Sequence, residues 1–283
     1  MTLRIRTLVM ASIVLRSLLL AACATTSSRS SHGGDGSFSV VTLNLYHDRD
    51  GWPQRRALVI EGLGALKPDV IGLQEVLQHE TLRNQAEDIA GALGYECYFV
   101  SADPPGATRR FGNAILTRHP VLERSERRLR PRDDWRTLAH LRLAIRGSIV
   151  DVYNTHLHHT AEGDVLRARQ LRDVLSHIAA RDDGTPSLLL GDFNAEVTNP
   201  ELRPLAASYV DVFGGVHDDA DSITTLNPHY FGNTVRRIDH VFAQRDRFEM
   251  LDARRVLDRP GVAGAWPSDH FGLHARLRLR HAR

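Results

Sequence analysis

Short apolar segments of strand length recur along this chain, and segments with helical spacing lie between several of them. The segments predicted as strands are residues 38–45, 70–73, 96–100, 113–117, 138–145, 149–154, 187–190, 238–243 and 273–279. Apolar residues recur at helical spacing in residues 54–66, 81–93 and 162–180. Because each sheet and helix must bury an apolar face, this mixed order predicts an α+β fold in which two sheets pack together with helices outside.

Nothing after residue 37 divides this pattern into separate parts. Residues 38–283 contain no second linker, no low-complexity segment and no internal repeat. The whole chain has 283 residues, of which 42% are hydrophobic and 25% charged, which suits a globular domain with a sizeable core. We therefore expect residues 38–283 to form one domain, and we expect it to be a monomer.

The N-terminus has the features of an export signal. Arg4 and Arg6 precede an apolar stretch at residues 8–20, which is too short and too interrupted for a membrane span. It runs into Leu20-Ala21-Ala22-Cys23, which resembles the lipobox of bacterial lipoproteins. The resemblance implies a signal peptide at residues 1–23, a lipid on Cys23, a flexible linker at 24–37, and a lipid-anchored protein of the bacterial outer membrane or periplasm. The alternative is an ordinary cleaved signal peptide.

The net charge gives no general argument for a nucleic-acid partner. The formal charge is +2, but residues 1–22 carry three arginines and no acid, so their removal would bring the balance to about −1. Local basic patches remain possible on such a chain.

Polar residues stand where the predicted apolar strands end. They are Asn44, Glu75, His156, Asp192, Asn194, Asp239, Asp269 and His270. Strand ends packed on one core can converge on one rim, where a site is assembled from distant pieces of sequence. Taken singly, each residue also fits a cap, a turn or a buried histidine.

The types of residue in this set favour hydrolysis of a phosphate ester. Carboxylate and carboxamide oxygens suit a hard cation such as Mg²⁺ or Mn²⁺. One histidine can take a proton from water, and a second can protonate the leaving oxygen. We see no nucleophilic serine or cysteine in a recognisable setting.

The order of these motifs resembles the endonuclease/exonuclease/phosphatase superfamily, which includes deoxyribonuclease I and bacterial sphingomyelinases. The matching runs are Thr42-Leu43-Asn44, Gly72-Leu73-Gln74-Glu75-Val76, Gly112-Asn113-Ala114-Ile115-Leu116-Thr117-Arg118, Asn154-Thr155-His156-Leu157, Leu190-Gly191-Asp192-Phe193-Asn194, Arg237-Ile238-Asp239-His240-Val241-Phe242 and Ser268-Asp269-His270. The resemblance implies a four-layer α/β/β/α sandwich of two mixed sheets, as in deoxyribonuclease I.

The resemblance also implies a role for each motif residue. Glu75 matches the main metal-binding glutamate, with Asn44 beside it, and Asp269 matches a carboxylate sometimes found on a second metal. His270 matches the water-activating histidine and Asp239 the residue that orients it. Further implied catalytic residues are Asp192 and Asn194, which position water and a phosphoryl oxygen, and His156, which stabilises the phosphate or acts as an acid. Asp192 is sometimes assigned the role of base itself.

Two further residues are candidates for contacts with the substrate phosphate. Asn113 lies in a matching run, and Arg136 carries a guanidinium group that suits phosphate. Arg109 and Arg110 are weaker candidates of the same kind.

The substrate remains open among several phosphoesters. Leu190 precedes Gly191 and Ala195 follows Asn194, where the inositol 5-phosphatase pattern has Trp and Arg, so that branch is not expected. Residues 154–157 and 237–242 look most like the bacterial hydrolases grouped with sphingomyelinases. The remaining options are an extracellular nuclease, a phosphodiesterase acting on a phospholipid headgroup, and a phosphatase of small esters. A catalytically silent lipoprotein that binds a phosphorylated ligand is the alternative outside the enzymes.

Overall fold

The structure, a computed structural model, describes residues 36–280 except for the side chain of Ala263. The predicted signal peptide, the lipid attachment at Cys23 and all but the end of the predicted linker lie outside the described residues, so they stay predictions. Among residues 36–280, no helix combines the length and the apolar character needed to cross a bilayer.

Twelve strands form within the described residues. In chain order they are β1 (Ser37–Asn44), β2 (Val70–Gln78), β3 (Glu96–Ser101), β4 (Arg110–Thr117), β5 (Val121–Arg128), β6 (Thr137–Ile145), β7 (Ser148–His156), β8 (Ser187–Asp192), β9 (Tyr209–Asp211), β10 (Asp239–Gln244), β11 (Phe248–Val256) and β12 (Gly272–Leu279).

The α-helices are α1 (Trp52–Leu66), α2 (Gln85–Leu93), α3 (Asp164–Ala179) and the short α4 (Pro228–Phe231). Helix α2 begins later than the predicted residue 81 because the Asn84 side chain accepts hydrogen bonds from the amides of Ala86 and Glu87. It ends at Gly94, whose left-handed backbone closes the last turn. Local capping chemistry therefore fixes both ends of α2.

The strands form two six-stranded sheets that pack face to face. The first sheet has the order β11-β12-β1-β2-β4-β3, and the second has the order β5-β6-β7-β8-β10-β9. Each sheet is mixed, because β1 with β2 and β7 with β8 are parallel pairs whereas the other pairs are antiparallel.

Three apolar clusters account for the layers. Val40, Leu141 and Leu190 belong to the cluster between the two sheets. A second cluster packs α1 and α2 on the outer face of the first sheet, and a third packs α3 on the outer face of the second. Each fully buried aliphatic side chain stabilises such a layer by about 1.5–3 kcal/mol. The predicted four-layer α/β/β/α sandwich is confirmed.

Three strands were absent from the sequence-based prediction. They are β5, β9 and β11. Strand β5 is rich in arginine, and its residues alternate between half-buried and exposed because it forms the edge of the second sheet. Edge strands with charged side chains resist pairing with other molecules, so their sequences lack the continuous apolar character by which the central strands were identified.

The sheets are joined by a buried polar bridge between the middle of β2 and the end of β7. The Nε2 of Gln74 donates to the Oδ1 of Asn154 at 2.7 Å, and the Nδ2 of Asn154 donates to the carbonyl oxygens of Leu73 and Ala114, both at 2.9 Å. Gly72 leaves room for this bridge, since a Cβ atom there would lie 3.0 Å from the Asn154 Oδ1. The bridge fixes how the site-bearing ends of the two sheets face each other.

Candidate active site

The strand topology brings the predicted residues to one edge of the sandwich. In the parallel pairs, Asn44 at the end of β1 stands beside Gln74, and His156 at the end of β7 stands beside Asp192 at the end of β8. Asp239 opens β10 as the antiparallel partner of Asp192. His270 precedes β12, which runs antiparallel to β1, so it reaches the same edge.

Glu75 projects from an irregularity in β2. The register between β2 and β4 shifts between Leu73 and Val76, and Glu75 has a left-handed φ of 54°. A non-glycine residue in this region carries backbone strain, which persists where the surrounding structure imposes it and is concentrated at functional sites. The bulge places Glu75 on the wall of a cleft that also contains Asp269.

Asn44, Asp192 and Asn194 form one hydrogen-bonded unit. The Nδ2 of Asn44 donates to the Oδ2 of Asp192 at 3.0 Å, and the backbone amide of Asn194 donates to the Oδ1 of Asp192 at 2.9 Å. The Nδ2 of Asn194 donates to the carbonyl oxygen of Leu157. The orientation of the Asp192 carboxylate is therefore fixed from two sides.

His270 and Asp239 form a buried pair. The Nδ1 of His270 lies 2.8 Å from the Oδ2 of Asp239 and 4.0 Å from the Oδ2 of Asp192. Burial lowers the pKa of His270, but the charges of Asp239 and Asp192 outweigh it, so this pKa stands well above its ordinary value. The Nε2 of His270 makes no hydrogen bond within residues 36–280, which leaves it available to a water molecule.

Asp192 is itself electrostatically perturbed. Burial and the neighbouring charge of Asp239 raise its pKa to about 7. Ligand atoms of Asp192, Asp239 and His270 lie within 4.8 Å of one another, so these three side chains could also hold a metal ion. The hydrogen bond between His270 and Asp239 would have to open for that arrangement.

His156 lies beside the same carboxylate, with its Nε2 3.5 Å from the Oδ2 of Asp192. Burial, together with the charges of Arg136 and His270, holds the pKa of His156 well below its ordinary value. Its Nδ1 is buried and has no hydrogen-bond partner among the described residues. This environment favours the neutral form of the His156 imidazole.

Glu75 and Asp269 fit a divalent cation by their chemistry. Both line the cleft, and burial together with the charge of Glu75 raises the pKa of Asp269 to about 6. Two carboxylates that repel each other across a cleft are relieved by a cation between them, and oxygen donors suit Mg²⁺ or Mn²⁺. Asn44 stands near, although its Oδ1 already accepts the amide hydrogen of Tyr46.

The two candidate phosphate-binding residues differ in their contacts. Arg136 lines the cleft and is 9% exposed, and its buried Nε has no hydrogen-bond partner among the described residues, although it lies 3.8 Å from the Oδ2 of Asp134. Its Nη2 lies 3.2 Å from the Nδ1 of His159. Asn113, in contrast, donates its Nδ2 to the carbonyl and hydroxyl oxygens of Thr137. That leaves Asn113 only an acceptor, so these contacts do not support the predicted phosphate contact.

Several residues of the site were missed by the sequence analysis. The cleft has a volume of about 680 Å³, and besides residues already described it is lined by Tyr46, His47, Arg49, Asp103, Phe111, Trp135 and His159. Arg109, predicted only weakly, lines it as well. The sequence could have indicated two of them, because they lie close to predicted site residues. Tyr46 is two residues after Asn44, and His159 is three residues after His156.

The sequence of this chain is similar to those of known proteins. The model of the Endonuclease/Exonuclease/phosphatase family matches residues 41–270. Nocturnin of Drosophila melanogaster is 28% identical over 271 residues, covering 78% of this chain and 41% of that protein. Nocturnin of Xenopus laevis is 23% identical over 256 residues, covering 78% and 63%. The chain thus spans about two fifths of the length of the Drosophila protein and about three fifths of the length of the Xenopus protein.

Solved structures show the same architecture. An endonuclease/exonuclease/phosphatase from Beutenbergia cavernae has a TM-score of 0.71 and 26% identity, covering 87% of this chain and 72% of that one. TDP2 of D. rerio, complexed with a single-strand DNA product, has a TM-score of 0.72 at 19% identity, covering 86% and 100%. The human Nocturnin catalytic domain with a bound sulfate anion has a TM-score of 0.69 at 19% sequence identity. The match covers 87% of this chain and 95% of that one. This chain belongs to the endonuclease/exonuclease/phosphatase family.

Proposed function

We propose that this protein is a divalent-metal-dependent hydrolase of phosphoric ester bonds, and that its preferred substrate is a phosphodiester. The observation that carries the proposal is the buried group of Asp192, Asp239 and His270 at the edge of both sheets, adjoining a cleft with Glu75 and Asp269 on its wall. Family membership supports the same activity.

In this proposal His270 is the general base. Its Nδ1 is held by Asp239, which fixes the tautomer that presents a free Nε2 to an attacking water molecule. The Asp239 charge stabilises the imidazolium that forms when the proton is taken. Asp192, oriented by Asn44 and Asn194, positions the water or a phosphoryl oxygen, and its pKa of about 7 also makes it a candidate base.

Glu75 and Asp269 would hold the cation, Mg²⁺ or Mn²⁺, with Asn44 nearby. When bound, such an ion neutralises charge that develops on the phosphoryl oxygens. His156 lies beside Asp192 and can donate a hydrogen bond from its one ring N–H to a phosphoryl or leaving oxygen. Arg136 supplies a positive charge at the cleft wall, with an Nε that makes no hydrogen bond among the described residues and can donate one to an anionic oxygen.

An activity screen tests this proposal. The purified protein is incubated with bis-(p-nitrophenyl) phosphate, DNA, RNA, sphingomyelin and sugar phosphates, with Mg²⁺, with Mn²⁺ and with EDTA. We expect metal-dependent turnover of at least one diester that EDTA abolishes. Inactivity on the whole panel with every metal would reject the proposal and leave the silent ligand-binding lipoprotein, which no observation favours while Glu75, Asp192 and His270 are all present.

The cellular location is a separate proposal that rests on the sequence of residues 1–37. We propose export and lipid attachment at Cys23, which would place the site outside the cytoplasm. Fractionation after metabolic labelling with a radioactive fatty acid should find label in the membrane fraction for the natural chain and none for Cys23→Ser. A labelled Cys23→Ser chain would contradict the anchor. A single species of monomer size in gel filtration would support the predicted monomer.

A further inference from the structure

Trp135 is exposed at the cleft in a costly backbone conformation. About half of its side chain is exposed, and its φ is 58°. Bulky residues are rare outliers in this left-handed region, and a strained residue at a cleft points to a functional constraint. This left-handed residue ends the short 3-10 turn of residues 132–134 and leaves a large apolar ring half-exposed at the cleft, where a bound molecule could cover it.

The backbone around Trp135 is held on both sides. The amide of Leu129 donates to the carbonyl oxygen of Arg136 at 2.9 Å. On the other side, the Oδ1 of Asp134 lies 2.8 Å from the Nδ1 of His158. These contacts hold the chain segment that carries the indole before any ligand binds, which lowers the entropic cost of using the ring as a contact surface.

One face of the indole is already occupied. The guanidinium carbon of Arg128 lies 5.0 Å from the ring centroid of Trp135, and the same guanidinium group donates to the carbonyl oxygen of Arg132. Arg128 does not line the cleft, whereas Trp135 does. Within residues 36–280 no other guanidinium or ring stacks on Trp135, so the second face of its indole is open to a ligand.

The charges around the cleft define what can lie on that face. Arg49, Arg109 and Arg136 all line it, and the Arg109 side chain has no hydrogen bond or ion pair among the described residues. Of the acidic residues, Asp103 accepts hydrogen bonds from the Phe111 amide and the Ser101 hydroxyl. Glu75 and Asp269 would bind the cation of the proposed function, which would neutralise their negative charges.

We propose that the substrate is a nucleotidyl phosphoester whose base stacks on Trp135 while its phosphates lie between the catalytic group and Arg109. This inference rests on the proposed function and narrows its substrate class. Every nucleobase has a planar face suited to stacking on an aromatic side chain. A choline headgroup is disfavoured, because its fixed positive charge would meet three arginines. Simple sugar phosphates are also disfavoured, because they have no planar ring that could stack on Trp135.

The kinetic test uses two esters with the same leaving group. Turnover of the p-nitrophenyl ester of thymidine 5′-monophosphate is compared with that of methyl p-nitrophenyl phosphate. In Trp135→Ala, we expect KM for the thymidine ester to rise roughly 5- to 100-fold with little change in kcat, and KM for the methyl ester to stay the same. Trp135→Phe should restore most of the affinity. The matched control is Ile149→Ala, which removes a comparably exposed side chain on β7.

A binding measurement keeps the inference testable if turnover is absent. Thymidine 5′-monophosphate is titrated into a His270→Ala protein while tryptophan fluorescence is followed, with inorganic phosphate as the reference ligand. We expect quenching by the nucleotide, and its loss in Trp135→Phe although Trp52 and Trp266 remain. A dinucleotide compared with the mononucleotide tells whether a nucleic-acid end binds better than a free nucleotide.

Two results would overturn the inference. One is an equal rise, or no rise, of KM for both esters in Trp135→Ala. The other is nucleotide quenching that persists in Trp135→Phe. Either result leaves the proposed hydrolase intact, whereas absence of turnover of both esters with normal nucleotide quenching would count against the hydrolase alone.

Discussion

At the scale of single residues, this site is marked by backbone conformations that most side chains avoid. Tyr46, Glu75, Trp135 and Asn194 all have positive φ values, and all of them lie on the cleft or beside Asp192. Such conformations cost of order 1–3 kcal/mol each and persist because surrounding contacts impose them. At Glu75, within β2, this conformation accompanies the irregular register that places the side chain on the cleft wall.

The pair of His270 and Asp239 makes a prediction about pH dependence. The charge of Asp239 raises the pKa of His270, and a base must be deprotonated to act, so the rate should increase with pH along the acid limb. In Asp239→Asn the acid limb should move to lower pH. The neutral amide no longer stabilises the protonated imidazole of His270, so the pKa of His270 falls. The maximal rate should fall by roughly 10²–10⁴, as for the loss of general-base catalysis.

The measurement is kcat against pH for the natural protein, Asp239→Asn and His270→Ala. Asp246→Asn is the matched control, since it changes the same type of residue in an exposed turn. An acid limb that stays in place in Asp239→Asn, or a near-normal rate in His270→Ala, would move the role of base to Asp192.

Glu75 makes a prediction about metal affinity. The Glu75→Gln amide keeps the size of the side chain but loses the charge, and Mg²⁺ strongly favours carboxylate oxygen. The Mg²⁺ concentration needed for half-maximal activity should rise at least about tenfold, a loss of ~1.4 kcal/mol of binding free energy. Metal titration of activity checks this, with the neighbouring exposed Glu80→Gln as control. An unchanged Mg²⁺ requirement would mean that Glu75 does not bind the ion.

At the scale of elements, the buried bridge between β2 and β7 makes a prediction about stability. Asn154 is fully buried and donates to two carbonyl oxygens of the opposite sheet. In Asn154→Ala those oxygens lose their donor, which should lower the free energy of unfolding by about 1–3 kcal/mol. Urea denaturation measures the loss. The control is Ile149→Ala, an exposed position on the same strand, which should change the free energy of unfolding by less than about 0.5 kcal/mol. Equal effects of the two substitutions would contradict a stabilising role for the bridge.

At the scale of the whole molecule, a buried carboxylate links folding to pH. Burial alone would raise the pKa of Asp69, but contacts with His119 at 2.7 Å, the Ser39 amide at 2.8 Å and Arg118 at 2.9 Å lower it to about 2. Its pKa in the unfolded chain is about 4. The stability that Asp69 contributes is therefore complete above about pH 4 and is lost as the pH falls towards 2, a change of roughly 2–3 kcal/mol.

This linkage can be measured by following urea denaturation of the natural protein and Asp69→Asn between pH 6 and pH 2. The natural protein should be the more stable at pH 6, and the difference between the two should shrink as the pH falls. A difference that stays constant over this range would show that the Asp69 carboxylate keeps the same protonation state in the folded and unfolded chains.

The sequence by itself determined the central strands, the three long helices and the identity of most rim residues. Strands such as β1 and β8 are buried on both faces, so they must be apolar along their length, and the polar residue that ends each of them stands out. Order along the chain then sufficed for the family and the four-layer sandwich.

Only the tertiary structure decided which residues share the cleft and what charge they carry. The edge strands β5 and β11 bury little and leave a weak pattern. Trp135 lies in a loop, and nothing in its local sequence assigns it to the same cleft as Arg109, because that depends on how two distant segments pack. The pKa values of Asp192 and His270 likewise arise from burial and from neighbours remote in sequence. Periodicity records which face of a strand is buried, whereas charge and distance across a site exist only after folding.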